Sequence, residues 1–152
     1  MQAEQLMRAA TVIPVLTIDD IEDAVPLARA LAAGGLTVLE VTLRTAAGLE
    51  AIARIAAEVP EATVGAGTVT RAEEFTAIRG AGARFAVSPG YAAALDAAAG
   101  EMPWLPGVAT ASEIMAARAA GRTALKFFPA EVAGGIPALK AFAGPFGDIV
   151  FC

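Results

Sequence analysis

The sequence predicts an α/β fold built as a (β/α)8 TIM barrel, and three observations carry that expectation. Short β-branched or apolar runs alternate with alanine-rich segments of helical character along the chain. The runs begin 20 to 26 residues apart, the spacing of βαβ units that pair into a parallel sheet. The second run carries charge on one face, whereas a parallel strand covered on both sides by helices is apolar throughout. Seven runs fit into 152 residues, and the smallest complete barrels take about 200. The expected barrel is therefore incomplete: about seven strands and six helices plus an amino-terminal helix, in a single domain over residues 1–152.

The elements follow in order. The opening "MQAEQLMRAA" has neither the basic start nor the small-residue cleavage site of a signal peptide. The first strand is "VIPVLTI" from Val12, and Asp20 stands where the next helix, "IEDAVPLARALAAGG", wants a cap. "TVLEVTL" from Thr37 leads into "AAGLEAIARIAAEVP". "TVGAGTV" from Thr63 precedes "RAEEFTAIRGAG". A dinucleotide-binding fingerprint starting at Gly65-Ala66-Gly67 needs its last glycine where Thr70 stands, so that match fails, and the two glycines read as tight packing. "RFAVSPG" from Arg84 and "AAALDAAAGEMP" form the fourth unit, and "WLPGVAT" from Trp104 and "SEIMAARAAG", with Ser112 as its cap, form the fifth. "ALKFFPA" from Ala124, "IPALKAFAG" and "DIVFC" from Asp148 complete the series. Good helix formers fill the intervals and glycine closes several of them.

Composition narrows the chemistry. A chain that is 57% hydrophobic and 18% charged buries a core and is not disordered. The net charge of −5 and the absence of any basic run argue against nucleic acid or an anionic membrane as partner. No apolar segment is long enough to span a bilayer, and the single cysteine, Cys152, forms no internal disulfide, which fits the reducing cytoplasm. Without histidine the usual zinc sites and the Ser-His-Asp and Cys-His pairs cannot be assembled. No metal or cofactor is expected. Proton transfer falls to carboxylates, lysine, Tyr91 or water.

Alternation along "TVLEVTLR" places Val38, Glu40, Thr42 and Arg44 on one face. Charge toward the carboxyl end of a strand suggests the lined mouth of a barrel, where active sites of this fold gather. In "ALKFFPA" the same alternation puts Lys126 and Phe128 on one face, so Lys126 and Glu40 look into one interior. The chain has two lysines, Lys126 and Lys140, against nine arginines, and lysine is rarely buried without a reason. An ordinary lysine, with a pKa of about 10.4, is neutral in roughly one molecule of a few thousand at pH 7. Desolvation favours the neutral amine, and a shift of about three units corresponds to roughly 4 kcal/mol. A neutral amine attacks a carbonyl to form a Schiff base.

The segments "EVTLRT", "VGAGTV", "SPG", "LPGVAT", "KFFPAE" and "AGPF", in this order and spacing, resemble the 2-keto-3-deoxy-6-phosphogluconate aldolase family, which includes 4-hydroxy-2-oxoglutarate aldolases. The resemblance covers residues 10–152 and implies a metal-free, usually trimeric (β/α)8 barrel. It further implies a class I lyase that cleaves the keto-deoxy sugar phosphate to pyruvate and glyceraldehyde 3-phosphate, or hydroxyoxoglutarate to pyruvate and glyoxylate. Carried over, it makes Lys126 the Schiff-base lysine and Glu40 the acid/base that shuttles protons through the carbinolamine water. Arg44 and Thr68 hold the pyruvyl carboxylate, with Pro89 and Phe128 packed around it. Family members continue beyond "DIVFC" with a "PTGG"-like segment, a helix, an eighth strand and a phosphate-binding turn, so the eighth βα unit is expected to be missing here.

The residues by themselves leave other readings open. Lys126 can snorkel from a strand end or pair structurally with Glu40, and Glu40 with Arg44 can be an internal ion pair that serves barrel packing. Thr68 can be a strand residue of good β propensity. Lys140 reads as a solvated helix lysine, and Trp104, Tyr91 and Cys152 read as packing. A non-catalytic barrel fragment that only associates or binds oxoacids is the alternative to an aldolase.

Overall fold

A computed structural model describes residues 3–152. Helix α1 (Ala3–Ala9) comes first, then strand β1 (Val15–Leu16), a 3-10 turn (Ile21–Asp23) and α2 (Ala24–Ala33). Strand β2 (Val38–Thr42), α3 (Gly48–Glu58), β3 (Thr63–Gly67), α4 (Glu74–Gly80), β4 (Ala86–Val87) and α5 (Ala93–Ala99) continue the alternation. The chain then runs through β5 (Trp104–Leu105), β6 (Gly107–Val108), α6 (Ala111–Ala119), β7 (Ala124–Phe127), α7 (Gly135–Phe142) and β8 (Val150–Phe151). Every strand pair is parallel and neighbours follow chain order, β1 to β5 in one sheet and β6 to β8 in the other. This is the curved α/β arrangement of a partial barrel.

Each expected run carries a strand, but the fifth is split in two by Pro106, which has no N–H to give a ladder. Its carbonyl still serves, accepting from Lys126 N at 2.8 Å. Asp20 caps the 3-10 turn as expected, taking the Glu22 N–H at 3.0 Å. Ser112 does not cap α6. Thr110 does, because Glu113 lies three residues on and closes a capping box that Ser112, followed at that distance by Met115, cannot make.

Alternation sorts the apolar residues into separate cores. Leu39, Val41, Val64 and Ala66 point outward and pack with Ala28, Ile52, Ile55, Phe75 and Ile78 of the helices. Around β7, Leu125 packs outward with Ile114, Phe146 and Ile149. Inside, Val38, Phe85, Val87, Leu105 and Ala124 pack with Leu6 of α1. Val38 and Ala124 begin their strands, so α1 seals the amino-terminal end of the interior with an apolar floor. Two residues further along the same strands stand Glu40 and Lys126. At the ends of the arc, Val15 is opposite Glu40 and Val150 opposite Ala124 in register, and they are 49% and 37% exposed. Among the described residues no helix is long and apolar enough to cross a membrane.

Candidate active site

β2 and β7 bring together two charges that lie far apart in sequence. Lys126 Nζ stands 3.5 Å from Glu40 Oε1, with the Lys126 side chain 19% and the Glu40 side chain 6% exposed. The contact rests directly on the apolar floor. Burial pushes the Glu40 carboxyl above the ordinary carboxylate range, and the positive charge and hydrogen bond of Lys126, with a smaller contribution from Arg44, pull against that rise. A carboxyl held this way keeps its proton to higher pH and can exchange it with a neighbouring group.

The room for Glu40 comes from β3. A methyl group built on Gly67 would fall on the Glu40 carboxylate, with Cγ at 2.7 Å and Cδ at 2.8 Å. Gly67 therefore does more than permit tight packing: it leaves the volume in which the carboxyl lies beside Lys126. Gly65 does the same for the Phe85 ring in the layer below. On the other side, Gly107 is in register with Lys126, and a methyl group there would strike the Pro89 carbonyl. The Pro89 turn is tied down by buried Ser88, whose hydroxyl donates to Gly90 O at 2.7 Å and accepts from Trp104 Nε1 at 3.0 Å.

The expected site residues fall into two groups. Phe128 stands beside Lys126, its ring centroid 5.1 Å from Nζ, and the Pro89 turn closes over Gly107 next to it. Arg44, four residues beyond Glu40, instead donates from Nε to Thr68 Oγ1 at 3.2 Å. Thr68 has φ 60°, a left-handed conformation that a β-branched residue adopts only under strain. The turn that holds it points the hydroxyl at the guanidinium edge and leaves the Nη atoms as donors. Trp104 and Tyr91 pack as expected, stacked at 6.0 Å, and Lys140 is exposed on α7.

Of three further residues near the site, sequence reasoning left Thr17 unnamed, placed Thr42 on the face of Glu40 and Arg44 without a role, and did not place Cys152 next to Lys126. Thr17 and Thr42 place their hydroxyl oxygens 3.3 Å apart on adjacent strands. Cys152, read as packing, brackets Lys126 in the β7–β8 ladder: its N–H donates to Leu125 O and its carbonyl accepts from Phe127 N, both at 2.8 Å. The parity of "ALKFFPA" against "DIVFC" carries that signal, once the two strands are known to be neighbours. Burial pushes the Cys152 thiol up, partly offset by Lys126.

An amine beside a buried carboxyl, with an aromatic ring 5.1 Å from the amine and a guanidinium four residues beyond the carboxyl in the chain, forms a site suited to an anionic carbonyl compound. The family model described as "KDPG and KHG aldolase" matches residues 3–152. A 2-dehydro-3-deoxy-phosphogluconate aldolase of Dickeya dadantii is 53% identical over 99% of this chain and 71% of its own length. The KHG/KDPG aldolase of Escherichia coli K12 is 49% identical over the same shares. Among solved structures, the KDPG aldolase of Legionella pneumophila, with pyruvate captured as a covalent carbinolamine intermediate, superposes with a TM-score of 0.97. It is 47% identical, and the match covers all of this chain and 75% of that one.

Two predictions follow from the packing and charge of the site. Gly67→Ala is expected to cost about 1–3 kcal/mol in chemical denaturation, the range for overpacking, while Gly80→Ala, with open space around it, costs nothing. Equal effects would mean that Glu40 does not need the Gly67 volume. Glu40, followed by infrared titration of labelled carboxyl groups, is expected to lose its proton above 4.5, its ordinary value, and at still higher pH in Lys126→Met, which removes both contributions of Lys126. A raised carboxyl stabilises the fold below pH 4.5 and that stability is lost as pH rises through the folded-state value. In Lys126→Met the loss therefore moves to higher pH; a downward move would contradict the pairing.

Proposed function

The chain belongs to the KDPG and KHG aldolase family, and on that premise we propose that it is a class I aldolase whose Schiff-base lysine is Lys126. The observation that carries this reading is the contact between Lys126 and the buried Glu40 at 3.5 Å. Lys126 Nζ adds to the C2 carbonyl of a 2-keto acid, and the carbinolamine loses water to leave a cationic iminium. The C4 hydroxyl gives up its proton as the C3–C4 bond breaks, and the bonding pair moves through C3 into the iminium, releasing an aldehyde and leaving an enamine. Protonation at C3 and addition of water to the resulting iminium return pyruvate and the free amine.

Glu40 supplies and removes the protons at these steps. Burial holds its carboxyl above the usual range, so that it keeps its proton to higher pH than an ordinary carboxylate and can both give and take one at the adduct. Arg44 binds the substrate carboxylate through its Nη atoms, because a guanidinium matches a carboxylate with two parallel donors. Thr68 steadies it from the Nε side, and Phe128 and the Pro89 turn shut water from the adduct. The substrates are 2-keto-3-deoxy-6-phosphogluconate, 4-hydroxy-2-oxoglutarate or both, and pyruvate is common to the two reactions.

A homotrimer in the cytoplasm is the assembly and setting this reading takes from the family resemblance. Exposed Val132 and Ile136, 85% and 68% accessible, follow Phe128 in the chain and offer an apolar surface for such contacts.

Enamine formation predicts exchange of the pyruvate methyl hydrogens with deuterated water, read by proton NMR. Lys126→Met is expected to abolish exchange and Glu40→Gln to slow it by about 10²-fold or more. Arg44→Ala is expected to raise the half-saturating pyruvate concentration about tenfold or more, the loss of hydrogen bonds to a charged group. Exchange at parental rates in Lys126→Met and Glu40→Gln would remove both from the mechanism.

A further inference from the structure

Leu16 of β1 is opposite Val41 of β2, so the next pair, Thr17 and Thr42, shares the inner face that carries Glu40 and Arg44. The two hydroxyl oxygens are 3.3 Å apart. Thr42 is fully buried and Thr17 is exposed, so the pair begins inside the wall and ends at open space. A hydroxyl has one hydrogen and two lone pairs. If Thr42 donates to Thr17, the Thr17 O–H is free; if Thr17 donates to Thr42, its oxygen still accepts.

The position of the pair along β2 gives this spare capacity a use. Thr42 lies between Glu40, at the level of Lys126, and Arg44, so the Thr17 hydroxyl opens on the space between the reacting amine and the mouth. Barrel interiors are dominated by bulky branched apolar residues, and valine would fill either position with the same shape. The pyruvyl half of the substrate has no hydroxyl to offer; the half released as an aldehyde does. We propose that Thr17, backed by Thr42, is a specificity-determining contact for hydroxyl groups on the substrate carbons beyond the bond that is cleaved. This rests on the aldolase reading above. A hydroxyl-lined wall discriminates because a polar group built to bond its ligand is left unpaired by an analogue lacking that partner.

The alternative is that the two threonines simply stabilise adjacent strands as a cross-strand pair. The experiment compares two 2-keto acids, 2-keto-3-deoxygluconate and pyruvate, by the concentration at which borohydride reduction labels half of the protein, read by intact mass. Thr17→Val is expected to raise that concentration about fivefold or more for 2-keto-3-deoxygluconate, the effect of one neutral hydrogen bond, and to leave it unchanged for pyruvate. Thr17→Ser is expected to restore the parental value. Thr17→Ala gives the same comparison should the valine variant fail to fold. Equal shifts for both acids, or no shift for either, would overturn the inference and return the pair to sheet stability. Absence of any pyruvate label in the parent protein would overturn the aldolase reading itself, whereas a labelled parent with an unmoved ratio rejects Thr17 alone.

Discussion

The contact between Glu40 and Lys126 is the constraint on which the rest of the interior depends. A carboxylate and an ammonium removed from water each lose several kcal/mol of hydration, and only close, well-made contacts offset that loss. The chain meets the condition by separating the two roles of the interior along the strand axis. Val38, Phe85, Leu105 and Ala124 form an apolar floor against Leu6 of α1, and the charged pair lies directly above it. Parallel pairing of β2 with β3 and of β6 with β7 fixes the levels, so that Gly67 and Gly107 stand where a side chain would displace Glu40 or the Pro89 turn. Gly67 is thus a consequence of the pair, and Gly107 of the approach of the Pro89 turn beside it.

The electrostatics of the site follow from the same layering. Glu40 is pushed up by burial and pulled down by Lys126 and, more weakly, by Arg44. The carboxyl is therefore poised by opposing influences, and a ligand that consumes the lysine's charge changes the balance. In the proposed reaction a neutral carbinolamine at Lys126 would remove that pull and leave Glu40 holding its proton more firmly, and a cationic iminium would restore it. Proton delivery by Glu40 would then follow the state of the adduct. Arg44 is held by the left-handed Thr68 through its Nε and acts on Glu40 only by its charge.

Strand alternation made much of this legible in the sequence. It placed Glu40, Thr42 and Arg44 on one face and Lys126 with Phe128 on another, and the barrel made those faces meet. It did not disclose the purpose of Gly67, because the space a glycine leaves depends on a side chain from the neighbouring strand, and only register identifies that side chain. The same holds for Cys152 beside Lys126 and for Thr17 beside Thr42, which are visible only when strands distant in sequence are aligned. Pro106 splits the fifth strand because a missing donor matters only where a partner expects one. The cap at Thr110 was readable, since Glu113 lies three residues on, but the hydroxyl of Ser112 drew attention to the wrong position.

The chain has two lysines, Lys126 on β7 and Lys140 on α7, so the central claim reduces to a choice between them. Incubation with pyruvate and borohydride, followed by proteolysis and peptide mass mapping, reads that choice directly. The account predicts a reduced pyruvyl group on the peptide containing Lys126 and none on the peptide containing Lys140. Labelling at Lys140, or at neither lysine, would contradict it.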